Sequence, residues 1–135
     1  MSTSPDLPPQ APPLALIEEG AKKSGVLWIT LDDRPRLAWH AWHDGAIYVV
    51  TGGGEQSLPG LAESGRVRVT LRSKDKGGEL AVFDAAVEVV DQSAAEAAPA
   101  VAALAKERLN APDGAAMTAR WADGSQIVRL IPEAA

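Results

Sequence analysis

The sequence predicts a mainly β domain, in which six antiparallel strands close into a small barrel with two or three flanking helices. Several short runs alternate between apolar and polar residues, which is the pattern of strands with one buried face. The chain has 135 residues, enough for one domain with one core. Six strands with short connections bury little apolar surface unless the sheet closes on itself, so a barrel is the natural architecture.

The first part of the chain divides into an arm, a helix and a strand. Residues 1–13 contain five prolines and almost no core-forming residues, so we predict a disordered proline-rich arm before a domain at 14–135. Residues 14–24 (LALIEEGAKKS) are predicted to form a short helix. The apolar run VLWITL at 26–31 is predicted to be a strand, and 32–35 a turn.

The central feature is a predicted hairpin at 36–51, built on the Asp44-Gly45 signal for a type I′ turn. The turn predicts the cross-strand pairs His43–Ala46, Ala41–Tyr48 and Trp39–Val50. Alternation predicts a core face made of Leu37, Trp39, Ala41, Tyr48 and Val50. The other face is a largely apolar strip that also carries Arg36, His40, Trp42 and Thr51.

The second half of the chain is predicted to complete the barrel. Residues 57–64 are predicted to form one or two helical turns capped by Ser57. RVRVTLR at 66–72 alternates cleanly and is predicted to be a strand, followed by a turn at 73–78. A long strand is predicted at 79–91, with Ala81, Phe83, Ala85, Val87 and Val89 facing inward.

The C-terminal part is predicted to be a helix, an irregular stretch and a last strand. Ser93 and Glu96 have the spacing of a capping box before an alanine-rich helix that Pro99 should kink or restart. Residues 111–125 are predicted to be irregular, and QIVRLI at 126–131 to be a strand.

Composition excludes several classes of function. The net charge of −5 gives no sequence-wide case for binding nucleic acid or an anionic membrane. The absence of cysteine excludes disulfides, thiolate metal sites and thiol nucleophiles. No apolar run is long enough to span a bilayer, and residues 1–14 lack the regions of a signal peptide. We therefore expect a soluble cytoplasmic protein.

The end of the hairpin is a candidate anion site. Three glycines, Gly52, Gly53 and Gly54, follow Thr51 and precede Ser57 at the predicted helix start. Backbone N–H groups of a glycine loop and a helix N-terminus form an anion-binding geometry. Positive charge would come from Arg36, Arg72 or Lys74.

The histidines and Trp42 of the hairpin could have more than one role. His40 and His43 point to opposite faces of a strand, so they cannot share a metal ion, and we predict no metal site. His40 is either a donor to the edge of a bound ring or a buried or interface histidine. Trp42 either stacks on a planar ring or lies in a dimer interface. Because no catalytic triad or carboxylate pair is visible, no catalytic residue is assigned.

The order of elements and several strings resemble the FMN-binding split β-barrel superfamily, the pyridoxamine-phosphate-oxidase-like proteins. The resemblance covers roughly residues 14–133 and rests on VLWITL, RLAWHAWHDGAIYVVTG, GRVRVTL, AVFDAAVEVV and the closing IVRLIPE. The string at 52–76 is similar to an actinobacterial-type branch. The fold class implied is a six-stranded antiparallel split β-barrel with two or three flanking helices.

The resemblance implies a homodimer that holds FMN or a deazaflavin between subunits and oxidises or reduces a small organic substrate. Arg36 matches the family's arginine at the start of the second strand, and Thr51 its hydroxyl at the end of the third. Glu55 lies where the family commonly has a Lys or Arg for the phosphate. That departure keeps an alternative open: a cofactor-free dimeric split barrel that acts as a binding or accessory protein.

Overall fold

A computed structural model of the chain describes residues 12–24, 26–53, 55–72, 79–108 and 114–133. The helices in these residues are α1 (Leu14–Lys23), α2 (Ala98–Glu107) and α3 (Gly114–Gly124), with a short 3₁₀ turn at Ala95–Ala97. The strands are β1 (Val26–Leu31), β2 (Arg34–Trp39), β3 (Ala41–His43), β4 (Ala46–Thr51), β5 (Arg66–Arg72), β6 (Glu79–Val89) and β7 (Gln126–Pro132). The arm predicted at 1–13 falls outside the described residues up to residue 11, and the turn predicted at 73–78 lies outside them entirely.

The described strands form one antiparallel sheet in the order β2-β1-β5-β6-β7-β4-β3. The two edge strands, β2 and β3, are consecutive in the chain and are separated only by His40. A sheet whose edges are joined by a single residue must curl, so the seven strands make a half-barrel. The mainly β, antiparallel barrel class is confirmed, with one strand more than predicted.

The extra strand arises because the first arm of the predicted hairpin breaks at His40. β3 pairs with β4 as predicted, Ala41 opposite Tyr48 and His43 opposite Ala46. The turn between them has φ of 49° at Asp44 and 77° at Gly45, which fits type I′. The predicted pairing of Trp39 with Val50 is wrong, because Trp39 lies opposite Val26 of β1 instead.

A side chain takes the place of the missing backbone pairing at Trp39. The backbone N–H of Trp39 donates to Gln56 Oε1 at 2.9 Å, and Gln56 Nε2 donates to the carbonyl oxygen of Trp39, also at 2.9 Å. This primary amide therefore satisfies both backbone groups as a neighbouring strand would. It ties the end of β2 to the loop that follows β4.

β4 is buried on both sides, because two apolar clusters meet along it. The inner cluster fills the barrel and includes Leu27, Ile29, Ile47, Val49, Val69, Phe83, Leu130 and, from α1, Ile17. The outer cluster packs α2 and α3 on the sheet and includes Tyr48, Val50, Leu104, Met117, Trp121 and Ile127. On β4, the hairpin face that also carries Arg36, His40 and Trp42 therefore points into the barrel interior. All six β4 residues are buried.

Several local predictions are confirmed. α1 begins at Leu14 and ends at Lys23, β1 has the predicted bounds, and Val67, Val69 and Leu71 face inward on β5. On β6, Ala81, Phe83 and Ala85 are buried and Val87 is partly buried. Val89 and Leu37 are each 52% exposed, so the inward position predicted for Val89 and the core position predicted for Leu37 are wrong.

Three other local predictions are wrong. Residues 57–64 form successive turns rather than helix, with Leu61 N–H donating to Leu58 O and Ser64 N–H to Leu61 O. Ser93 does not cap a helix, because its backbone N–H and hydroxyl both donate to Asp91. The stretch predicted to be irregular contains α3, whose Met117 and Trp121 are four residues apart and buried in the outer cluster. Burial of that face stabilises a helix that lacks capping signals.

In the part of the chain that the structure describes, no helix is both long and apolar enough to cross a bilayer.

We predict that Gln56→Ala lowers the free energy of unfolding by about 1–3 kcal/mol, because two half-buried backbone groups of Trp39 lose their partner. Chemical denaturation measures the change. The matched control is Ser57→Ala at the neighbouring exposed position, which should change stability by less than about 0.5 kcal/mol. Equal effects of the two substitutions would contradict this role of the Gln56 amide.

Candidate functional site

The loop after β4 is a compact turn built on glycine. The N–H of Gly52 donates to Gln56 O at 3.0 Å, and the N–H of Glu55 donates to Gly52 O at 3.0 Å. Gly52 and Gly53 have φ of 82° and 60°, in the left-handed region that glycine adopts without strain. The predicted glycine loop is therefore present, and it folds back on itself.

Thr51, rather than Ser57, makes the side-chain hydrogen bond to the start of the segment at 57–64, and the segment that it holds is a series of turns rather than a helix. The backbone N–H of Leu58 donates to Thr51 Oγ1 at 3.1 Å. Thr51 is buried, whereas Ser57 is exposed. Among the described residues, Ser57 has no hydrogen-bond partner, so its hydroxyl is available to a ligand.

A cavity of about 220 Å³ lies beside this loop. Thr51, Gly52 and Ser57 line it from one side, and the turn after Leu58 and Gln126 of β7 line the rest. Glu63 also lines the cavity and is exposed. A space of this size can hold a phosphate group. The carboxylate of Glu63 would repel an anion bound there.

Gly53 anchors the loop against the end of α3. A Cβ at Gly53 would lie 2.5 Å from both Gly124 O and Ser125 Oγ, closer than real Cβ contacts. The Ser125 hydroxyl donates to Gly52 O at 2.9 Å. Only a residue without a side chain fits at Gly53, and the loop is held in one position by α3.

Glu55 points away from the cavity and into a polar contact with the helices. Its carboxylate accepts from Trp121 Nε1 at 3.0 Å and from Arg108 Nε at 3.1 Å, and its side chain is only 9% exposed. Arg108 also lies over the ring of Trp39, 5.8 Å from its centroid. The negative charge of Glu55, which the sequence places next to the predicted phosphate site, is therefore neutralised by Arg108.

Arg36 lies on β2 opposite Ile29, on the face of the strand that carries the inner cluster. It is half-buried, and among the described residues its Nε is buried without a hydrogen-bond partner. Arg36 does not line the loop cavity itself.

Arg72 lies on the opposite face of the sheet from Arg36. Its guanidinium lies 5.7 Å from the centroid of the Trp28 ring, on the solvent side of β1 and β5. The structure therefore does not bring Arg36 and Arg72 to one phosphate within the described chain.

His40 and Trp42 are placed against α1 and the inner cluster, and neither of them lines the loop cavity. His40 is 2% exposed, and its Nε2 donates to the backbone oxygen of Ala21 at 2.8 Å. Its Nδ1 is buried without a partner among the described residues. Burial lowers the pKa of His40, and the Ala21 hydrogen bond and the charge of Glu107 offset this only in part. Trp42 is partly buried against the inner cluster.

Of the predicted site residues, the structure brings together Thr51, Gly52, Gly53 and Ser57. Gly54 and Lys74 lie outside the described residues. The sequence analysis missed the residues that hold the loop in place: Glu55 as an acceptor, Gln56, Arg108, Trp121 and Ser125. Arg108, Trp121 and Ser125 are far from the loop in the sequence, and no local pattern connects Glu55 with Arg108 or Trp121.

The pKa of His40 predicts a dependence of stability on pH. The unfolded chain binds a proton near the ordinary histidine pKa of about 6.5, and the folded chain binds it only at lower pH. The unfolded state therefore holds more protons below about pH 6.5, so the free energy of unfolding falls as pH drops from neutral through the folded-state pKa. One such group contributes at most about 1.4 kcal/mol per pH unit.

Chemical denaturation between neutral and mildly acidic pH measures this slope. His40→Gln keeps a donor for Ala21 O and removes the titration, so we expect a shallower slope than in the wild type. His43→Gln, the matched control at the chain's other histidine, should keep the wild-type slope. The same slope in wild type and His40→Gln would contradict the assignment.

Comparison with solved structures places this fold among known proteins. The heme storage protein HutZ from Vibrio cholerae superposes with a TM-score of 0.61 at 17% identity, over 88% of this chain and 89% of HutZ. The conserved hypothetical protein Rv2991 from Mycobacterium tuberculosis has a TM-score of 0.61 at 18% identity, over 98% and 86% of the two chains. A candidate pyridoxamine 5'-phosphate oxidase from Listeria innocua has a TM-score of 0.58 at 16% identity, over 89% and 93%.

No protein-family model matches the sequence, and no curated protein matches it. At these levels of identity the structural likenesses establish the fold and not the activity. The chain has a split β-barrel fold, which it shares with HutZ and with the candidate pyridoxamine 5'-phosphate oxidase.

Proposed function

We propose that the chain binds the phosphate end of FMN or a deazaflavin at the loop after β4 and acts as an oxidoreductase on a small organic substrate. The observation that carries the proposal is the arrangement of Thr51, Gly52 and Ser57 around one phosphate-sized cavity. The Ser57 hydroxyl has no hydrogen-bond partner among the described residues and can donate to a phosphate oxygen, whereas the Gly52 N–H already donates to Gln56 O. The hydroxyl needs no rearrangement of the loop to do so.

The charges around the loop support this proposal. Glu55 is paired with Arg108 and hydrogen-bonded to Trp121, so it does not repel a phosphate at the cavity. Arg36 has a buried Nε without a partner among the described residues, which is a costly state that a bound anion would relieve. Gly54 and Lys74, which the sequence also assigns to the phosphate, remain part of the proposal on sequence grounds.

In the proposed reaction the cofactor would carry out the chemistry and the protein would bind and position it. A bound flavin supplies the electron transfer, so the chain needs no acid, base or nucleophile of its own. The loop would hold the phosphate end, and Arg36 would supply the charge-assisted hydrogen bonds. His40, Trp42 and Arg72 are placed elsewhere, so we assign them no direct phosphate contact.

We expect purified protein to bind FMN or a deazaflavin in calorimetric titration, with visible flavin absorbance in the complex. Arg36→Ala should weaken binding by about 10- to 100-fold, since a hydrogen bond to a charged group contributes about 1.5–3 kcal/mol. Arg66→Ala is the matched control. Arg66 forms exposed ion pairs with Asp84 and Glu133 and does not line the loop cavity. Its loss should leave the affinity unchanged.

If neither flavin binds at high micromolar concentration, the oxidoreductase proposal is wrong. If both arginine variants weaken binding equally, the assignment of Arg36 is wrong. Hemin should be titrated in parallel, because HutZ among the similar structures is a heme storage protein.

One observation favours the alternative, a cofactor-free binding or accessory protein. Glu63 lines the loop cavity, and no arginine or lysine of the described chain lines it. A site with a carboxylate and no cation in its wall binds a dianionic phosphate poorly unless Arg36 reaches it. Absence of flavin binding with an intact fold would support this alternative.

We further propose a homodimer formed through the solvent face of β2, β1, β5 and β6. A row of residues that we call the outer row crosses these four strands: Leu37, Trp28, Thr70 and Val82. Leu37 is 52% exposed and Val82 is 37% exposed. Three of the four side chains of the outer row, those of Leu37, Trp28 and Val82, are apolar, and apolar side chains grouped on the solvent face of a sheet are typical of an association surface.

Light scattering after size exclusion tests the dimer. We expect the wild type to be a dimer and Leu37→Asp to be a monomer, because the substitution buries a charge in the interface. Val89→Asp is the matched control, since Val89 is also 52% exposed but lies outside the outer row. A monomeric wild type, or a dimeric Leu37→Asp, would contradict the proposed interface.

A further inference from the structure

The outer side of β2 is an open strand edge. β2 pairs with β1 and is the last strand of the sheet on that side, and no described helix or strand other than β1 makes more than marginal contact with it. At the end of β2 the Gln56 amide bonds to the backbone of Trp39 in the place of a further strand. Among the described residues, nothing takes that place for the part of β2 before Trp39.

The register of β2 determines which of its backbone groups point outward. In an antiparallel strand the N–H and C=O of one residue point to the same side, and successive residues alternate. Since the groups of Trp39 point away from β1, those of Leu37 and the carbonyl of Pro35 do so too. Pro35 agrees with this assignment, because proline has no N–H and occurs at outward positions of edge strands. The open edge therefore offers Leu37 N–H, Leu37 O and Pro35 O in a row.

Two arginines lie beside these backbone groups. Arg34 lies opposite Leu31 and Arg36 opposite Ile29, so both side chains are on the same face of β2. Arg34 is exposed, and among the described residues it has no hydrogen bond or ion pair. Arg36 is half-buried, and its Nε is buried without a partner in the same part of the chain. The edge therefore carries two positive charges, two residues apart, without carboxylates to pair with them.

Charged side chains and proline on an edge strand also protect a sheet from unwanted pairing. That role accounts for Arg34 and Pro35. It does not account for Arg36, because a protective charge is kept in water, whereas the Nε of Arg36 is buried without an acceptor. The edge therefore holds a donor that an incoming acceptor would satisfy.

An added strand would bring acceptors to all of these groups. Its backbone would bond to Leu37 and to Pro35 O, and its alternate side chains would lie on the arginine face, with Cβ atoms about 4.5–5.5 Å from those opposite. Carboxylates at those positions would pair with Arg34 and Arg36. The segment does not come from this chain, since no two of its Asp or Glu residues are separated by a single residue.

We propose that the open edge of β2 binds an extended acidic segment of another protein, which adds a strand to the sheet and places carboxylates at alternate residues against Arg34 and Arg36. In such complexes the main-chain hydrogen bonds give affinity and the alternate side chains give specificity. The contact ends at Trp39, where Gln56 already occupies the ladder, so the bound segment is short. The proposal does not depend on flavin binding at the loop.

Titration of the isotope-labelled full chain, without flavin, with the peptide acetyl-Thr-Val-Glu-Val-Glu-Val-Thr-amide tests the proposal. We expect saturable binding, with the amide chemical shift changes centred on β2. At saturation the amide of Leu37 should exchange with solvent about tenfold more slowly or less, because it gains a hydrogen-bond partner. The amides of Arg36 and Ala38 should keep their exchange rates, since they point toward β1.

Variants of β2 separate backbone pairing from side-chain contact. Leu37→Pro removes the outward N–H and leaves the ladder with β1 in place, so it should weaken binding about three- to tenfold. Leu37→Ala is the matched control, because both variants lose the same side chain of the outer row and only proline loses the N–H. It should bind the peptide as the wild type does.

The charge contribution has its own pair of variants. Arg34→Gln should weaken binding about two- to fivefold, as expected for an exposed ion pair. Arg68→Gln, at an exposed arginine of β5 that is paired with Asp84, should leave the affinity unchanged.

Changes in the peptide test the same contacts on the wild-type protein, so the proposal stays testable if Leu37→Pro does not fold. A peptide with lysine in place of both glutamates should not bind. N-methylation of one set of alternate amides should abolish binding and N-methylation of the other set should not, because only one edge of an extended strand faces β2.

The proposal is overturned by absence of saturable binding at millimolar peptide, or by equal binding of the lysine peptide. It is also overturned if the two N-methylated peptides bind alike, or if folded Leu37→Pro and Leu37→Ala bind alike. Flavin titration of a separate sample has its own readout, so its failure leaves the peptide result unchanged.

Discussion

The paired hydrogen bonds between the Gln56 amide and the backbone of Trp39 are the contact on which the geometry of the site depends. Trp39 is the last residue of β2 that pairs with β1, and pairing with β4 begins only at Ala41. No strand therefore pairs with Trp39 on its other side. The Gln56 side chain supplies the missing donor and acceptor. Since Gln56 belongs to the loop after β4, the same contact that completes the barrel edge also positions the proposed phosphate site.

A second set of contacts holds that loop from the helical side. Glu55 accepts hydrogen bonds from Arg108 and Trp121, and Gly53 packs directly on the end of α3. A carboxylate that is almost fully buried is stable only when paired and hydrogen-bonded, and both conditions are met here. The loop is therefore held in one position. The negative charge of Glu55 is paired with Arg108 and does not repel an anion at the cavity.

The two ends of β4 have different electrostatic surroundings. The loop follows Thr51 at one end, where the carboxylate of Glu55 is paired with Arg108. A cavity beside the other end, next to Asp44, is lined by four carboxylates and one guanidinium, that of Arg129. A strand whose six residues are all buried separates these two surroundings.

Alternation and turn chemistry were sufficient to predict most strands. The clean alternation of Val67, Val69 and Leu71 and the type I′ turn at Asp44-Gly45 are local properties, so the sequence contains them in full. The glycine loop was also accessible, since it depends on adjacent residues, whereas the sequence assigned to Ser57 the hydrogen bond that Thr51 makes. Helix α3 was not, because its stability comes from burying Met117 and Trp121 against distant strands.

By itself, the sequence determined the antiparallel barrel class, the position of the hairpin turn and the glycine loop. These features depend on residue spacing and on backbone conformations that only certain residues adopt. The tertiary structure alone decided that the strand breaks at His40, that His40 is buried under α1 and that Glu55 turns toward Arg108. The physical reason is that each of these outcomes depends on hydrogen bonds between residues distant in the chain, and no local pattern encodes which partners will meet.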